Sequence, residues 1–207
     1  PRPRRANTAG GAAPIALPAA LSARLREVAE REGVTPFVVL LAAFQALLHR
    51  IARADEVVVP VPYANRGAAE LDGVVGLFIN MLPLRASFDG APTFRELLSR
   101  VRQASLAAFA HGDVPYARIL GLLEVDRSSG AAAALQTMFA LLDVSTLTRA
   151  MGAVSAAVEL VPNGGAKCDL GLFLEERADG EIAGVFEFRR DLFELATVER
   201  FAGHYLT

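Results

Sequence analysis

Pro60 and Pro62 stand two residues apart inside Val57-Val58-Val59-Pro60-Val61-Pro62-Tyr63. The rest of that run is apolar and rich in β-branched residues, which predicts a buried strand. Backbone groups alternate along a strand, so both missing N–H groups fall on one edge. That edge cannot carry a full ladder, and a central place in an unbroken sheet is closed to this strand. Two outcomes meet the constraint: a seam or channel beside the strand, or a plain edge strand.

The flanking segments alternate between the two periodicities. Leu21, Leu25, Val28 and Ala29 sit at helical spacing, and Gly33 ends that helix. Thr35 and Pro36 supply the N-cap and first position of a second helix, apolar almost all round and therefore buried. Its longest apolar stretch, Phe37 to Leu48, falls well short of the roughly 20 residues that span a bilayer. A strand is expected over Gly76 to Phe88. Thr93-x-x-Glu96 is a capping box for a helix whose apolar face is Phe94, Leu97, Leu98, Val101, Ala108 and Phe109. A short helix follows Pro115, a strand covers 135–143, and 144–166 is expected to be largely loop. Leu170, Leu172 and Leu174 alternate, Asp179-Gly180 turns the chain, and Ile182, Gly184, Phe186 and Phe188 alternate again. A helix with Leu195, Val198, Phe201 and Tyr205 on one face closes the chain. The order predicts an α/β sandwich. Residues 1–14, rich in Pro, Gly and Ala, form a linker entering a body at 15–207.

Composition narrows the function. Across 207 residues, 53% are hydrophobic and the net charge is -2, which excludes a disordered chain. Lys167 is the only lysine among 21 cations, and this balance excludes the basic surface a nucleic-acid binder needs. With one cysteine, Cys168, and no HExxH or CxxC, neither a disulfide framework nor a metal site is expected. A reducing, cytoplasmic setting fits. The basic Pro1–Arg5 start lacks the apolar core of a signal peptide, and a first residue other than Met points to a piece of something longer.

The sequence has no G-x-S-x-G elbow and no Walker or dinucleotide glycine pattern. Of the three histidines, His49 ends a buried helix and His204 lies on the last helix. His111, in His111-Gly112-Asp113-Val114-Pro115-Tyr116, either caps a helix and pins a loop or meets a substrate or partner. Cys168 fits a small core residue. Residue types alone therefore supply no catalytic centre.

Three stretches together resemble the condensation domains of nonribosomal peptide synthetases. The first runs Val61-Pro62-Tyr63-Ala64-Asn65-Arg66, then Glu70, then Val75 to Arg85 (VGLFINMLPLR), similar to the family's P-x-A-N-R…E…G-x-F-(V/I)-N-x-L-x-x-R. The second, His111 to Tyr116, resembles H-x-D-x-P-(F/Y). The third joins Ala166 to Leu170, Asp191 to Phe193 and Thr197 to His204. The chain departs from the family at Ser129 to Gln136, which lacks an Arg and an Asn of S-R-N-P-L-F-Q, and at Cys168, where an aromatic is usual. The family's catalytic H-H-x-x-x-D-G is absent from these residues.

The resemblance implies a chloramphenicol acetyltransferase-like lobe, a mixed β-sheet flanked by α-helices, forming the C-terminal half of a two-lobed domain. Such a domain joins an acyl or peptidyl thioester on one carrier protein to the amine of an aminoacyl group on another. This lobe would form one wall of the tunnel where the two phosphopantetheine arms meet, with no catalytic residue and no directly bound cofactor of its own. Implied partners are the N-terminal lobe, donor and acceptor peptidyl carrier proteins, and an adjacent adenylation domain. Expected tunnel residues are Phe78, Asn80, Gln136 and Met138. Asn65, Arg66, Gly76, Arg85, His111, Asp113 and Pro115 are expected to hold the motifs, the arginines through ion pairs or carbonyls. A non-catalytic recruiting module, an epimerisation-type relative and a coenzyme A-dependent acyltransferase share the fold.

Overall fold

The protein is described from a computed structural model over residues 9–122, 136–144, 149–151, 154–156, 161–177 and 179–207. A four-stranded mixed sheet forms its base, in the order β1 (Gly10–Leu17), β8 (Ile182–Arg189), β7 (Leu170–Glu176) and β4 (Thr137–Asp143). β1, β8 and β7 pair antiparallel, while β4 runs parallel to β7. A separate hairpin joins β2 (Glu56–Tyr63) to β3 (Asn80–Ser87), and a short one joins β5 (Arg149–Met151) to β6 (Val154–Ala156).

The helices are α1 (Ala19–Glu32), α2 (Pro36–Ala52), α3 (Phe94–Ala110), α4 (Tyr116–Leu122) and α5 (Leu195–Tyr205). Each start signal acts as its residue types require. Thr35 Oγ1 accepts the Val38 N–H at 3.4 Å with Pro36 in the first turn, and Thr93 and Glu96 close a reciprocal capping box. α2 runs through the centre of the core. Its Leu40, Leu41 and Phe44 are fully buried, and the Phe44 ring meets Phe139 of β4 and Phe186 of β8 at about 6 Å. Tyr205 of α5 donates its hydroxyl to the Leu40 carbonyl at 3.0 Å.

The paired prolines end in a seam. In the β2–β3 register Pro60 lies opposite Pro83. Neither has an N–H, so this must be a pair that exchanges no hydrogen bonds, and the Pro60 backbone faces away from β3. β4 lies along that outward edge without a ladder; among the described residues no backbone hydrogen bond joins β2 to β4. The link that is present runs from the Thr137 hydroxyl to the Val58 carbonyl at 3.3 Å.

Three expectations need correction. Gly10 to Pro14 belong to β1 rather than to a linker, and Ala13 is fully buried. Ladder pairing of the signature strand starts at Asn80, four residues after Gly76, because the segment before it leaves the sheet as a loop. The stretch 144–166 also holds β5 and β6. The Ala-rich 129–134 segment lies outside the described residues. No single described helix is long and apolar enough to cross a membrane.

Candidate functional site

The two most specific motifs meet at the open end of the β2–β3 hairpin. Tyr63 and Asn80 are cross-strand partners there, and both grip the loop that leaves α3. The Asn80 amide donates to the carbonyls of Gly112 at 2.9 Å and Val114 at 2.7 Å, and its oxygen accepts the Tyr116 N–H at 3.1 Å. One side chain thereby satisfies three backbone groups of His111–Tyr116 and fixes the start of α4. The Tyr63 ring lies where a Cβ on Gly112 would fall, 2.6 Å from a ring carbon, so this position must be glycine. His111 caps α3 through its own N–H to Ala108, and its imidazole is exposed, as are Asp113 and Pro115.

Arg66 organises the loop before β3. Its guanidinium donates to the carbonyls of Leu71 and Val74 and lies 4.4 Å over the Phe78 ring. Asn65 supplies the left-handed turn into it, with φ of 51°. The loop turns Phe78 inward and presents Val75, Leu77 and Ile79 outward at 100%, 90% and 60% exposure. Gly76 sits exposed beside the Phe78 ring. Arg85 pairs with Glu56 on the surface, and that pairing holds the Glu56 carboxyl below its ordinary range. Arg66 thus binds carbonyls of its loop, while Arg85 binds a carboxylate on the neighbouring strand and braces no loop.

Beside the seam, α4 roofs a cavity of about 420 Å³ over the outer face of the hairpin. Val58, Pro60 and Pro83 form its floor, Tyr116, Ile119 and Leu120 its roof, and Gln136 and Thr137 its β4 wall. Partial burial raises the Tyr116 phenol above its ordinary value, so it stays a neutral hydroxyl at physiological pH. Asn80 thus holds the first residue of α4, Tyr116, which lines the cavity together with Gln136. Phe78 is held apart on Arg66, and Met138, half-buried on β4, lies outside the cavity lining. Sequence reasoning missed Tyr63 and Tyr116, although both stand inside the quoted motifs.

Arg189 and Lys167 make structural ion pairs. Arg189 bonds Asp191 through two nitrogens, at 2.9 and 2.5 Å, and Asp169 at 3.1 Å, tying the start of β7 to the end of β8. Lys167 pairs with the buried Glu187 carboxylate at 3.0 Å. Burial pushes the Cys168 thiol up to about 12, too high for a nucleophile. No cluster of His, Cys, Asp and Glu able to hold a metal occurs among the described residues.

A family model described as the condensation domain matches residues 1–207. This chain belongs to the condensation-domain family. Among its relatives, a component of the linear gramicidin synthase of Brevibacillus parabrevis is 37% identical across 99% of this chain, which spans 3% of that protein. Phosphinothricin tripeptide synthetase PhsC of Streptomyces viridochromogenes is 36% identical across 97% of the chain, which spans 18% of that protein. The X-domain from teicoplanin biosynthesis superimposes on the whole chain with a TM-score of 0.87 and 26% identity, and the chain covers 47% of it. The first condensation domain of the calcium-dependent antibiotic synthetase, solved with a substrate analogue, gives a TM-score of 0.78 and 23% identity over 96% of the chain and 44% of its own. This condensation-domain chain has a mixed α/β, chloramphenicol acetyltransferase-like fold.

Proposed function

We propose that this chain is the C-terminal lobe of a peptide-bond-forming condensation domain in a cytoplasmic nonribosomal peptide synthetase. One observation carries the reading: the family match runs through the whole chain, while the chain covers just under half of the solved relatives. The exposed Val75, Leu77 and Ile79 support it, because an outward apolar stripe on a loop braced by Arg66 fits a surface covered by a second lobe. That lobe would bring the H-H-x-x-x-D-G motif missing here.

In this reading the acceptor amine attacks the donor thioester carbonyl. A C–N bond forms, the C–S bond breaks, and the amine proton passes by way of the other lobe to the departing thiolate, which regenerates the donor-arm thiol. Two phosphopantetheine arms on carrier proteins deliver the reactants, an adenylation domain of the same synthetase supplies the aminoacyl group, and tethering replaces tight affinity. This lobe's part is to wall the tunnel and orient the reactants, itself a large share of such catalysis. Asn80 acts through the loop it holds, since its amide and oxygen are spent on backbone groups.

The test is amide formation from loaded donor and acceptor carrier proteins, followed by mass spectrometry. The intact parent polypeptide is expected to form the amide and the isolated 207-residue chain to form none; turnover by the isolated chain would overturn the reading. A second reading, a recruiting module, draws on a solved X-domain in complex with OxyB, which matches this fold with a TM-score of 0.81. An intact parent that forms no amide yet retains a protein partner would favour it.

A further inference from the structure

We propose that the cavity between α4 and the β2–β3 hairpin is a specificity pocket for one uncharged, apolar side chain of a carrier-borne aminoacyl or acyl thioester. The inference rests on the condensation reading and adds to it a place and a ligand chemistry. At about 420 Å³ the cavity falls within the range of small-molecule pockets, roughly 300–1,000 Å³, and its surface is mostly hydrocarbon.

Its floor explains what enters. Along the outward edge of β2, Pro60 and Pro62 have no N–H to offer, and the Val58 carbonyl already accepts the Thr137 hydroxyl. An extended peptide therefore finds no ladder to join on β2, although a bare strand edge ordinarily invites one. The half-exposed Val58 side chain, Ile119 and Leu120 instead offer surface to an apolar group. Negative charge is selected against as well. Among the described residues Glu56 is the one charged residue in the lining, and its carboxylate is engaged by Arg85. A ligand carboxylate would meet no cation among these lining residues and would lie beside the Glu56 carboxylate. The roof is held in place, because Asn80 accepts the first N–H of α4 and fixes the loop before it.

The test compares phenylalanyl, alanyl and aspartyl thioesters on carrier proteins with the intact parent polypeptide. One arm varies the acceptor against a fixed donor, and the other varies the donor against a fixed acceptor. The arm that shows the preference identifies which reactant the pocket serves. Val58→Phe fills the cavity, and the kcat/KM ratio of phenylalanyl to alanyl substrate is expected to fall on the order of tenfold in one arm. Leu120→Ala enlarges it, and the ratio is expected to rise. Equal loss with both substrates in both arms would overturn the pocket. Binding supplies an independent readout: N-acetylphenylalanine methylamide is expected to shift the Ile119 δ1-methyl resonance, and the aspartate analogue is not. If no substrate pair yields amide, the condensation reading fails, and the Ile119 shift alone then decides the pocket.

Discussion

The two larger β-structures of this chain are stabilised in opposite ways. In the four-stranded sheet the side chains hold the strands together: Leu172, Leu174, Ile182 and Phe186 are fully buried, and Arg189 neutralises two carboxylates across β7 and β8. The β2–β3 hairpin buries one face, but Pro60 and Pro62 take two donors from its outer edge. Its open end is held by polar side chains bonded to backbone, Asn80 to the 111–116 loop and Arg66 to the loop before β3. A packed sheet tolerates exchange among apolar residues of similar volume. A site held by one amide making three directed bonds tolerates none, which is why the specific motifs sit on the hairpin.

Substitutions should break the two regions differently. Arg189→Met removes a buried guanidinium from Asp169 and Asp191, and a loss of about 3 kcal/mol in urea unfolding is expected. Asn80→Ala frees two carbonyls and one N–H at the hairpin's end and should cost about 1–3 kcal/mol. In the intact parent the same change should reduce amide formation by more than the fraction unfolded accounts for; equal losses would make Asn80 structural only.

Cys168→Ala should cost on the order of 1 kcal/mol at neutral pH. It should also weaken an alkaline dependence. The folded thiol titrates at about 12 and the unfolded one at 9.0, so the wild type loses stability as pH rises from the lower value to the higher. The alanine variant should lose the thiol's share of that slope and keep the share of the buried Tyr205 phenol, which burial also raises. The smallest effect belongs to the seam. Pro62 is exposed on an unladdered edge, and Pro62→Ala should lower stability by about 0.4–1 kcal/mol through unfolded-chain entropy alone. A larger loss would mean that the edge is engaged after all.

Much of this was legible in the sequence. Thr35-Pro36, Thr93-x-x-Glu96 and Asp179-Gly180 mark element ends through local chemistry, and the alternating 170–188 hairpin pairs as its period requires. The prolines foretold a seam or an edge, and which of the two needed the position of β4. β1 was misread because GGAAPIAL lacks the β-branched run that marks a strand. The reason is steric: a Cβ on Gly11 would lie 2.3 Å from the Phe188 ring, so the neighbouring strand, not strand propensity, chose the small residues. Asn80's role was also hidden, because its partners are backbone groups more than thirty positions away that carry no residue signature. The tunnel roles expected of Phe78, Gln136 and Met138 depend on a surface that a second lobe would complete.

The pairing of β1 with β8 has a consequence for synthesis. Ile182, which pairs with Leu17, is made 165 positions later. At about 5–20 residues per second, β1 waits roughly ten to thirty seconds on the ribosome before its partner emerges. A strand of valine and isoleucine left bare that long would adhere to neighbouring nascent chains. One built mainly from Gly, Ala and a proline stays soluble until β8 arrives, so the composition that disguises β1 as a linker also protects it in transit.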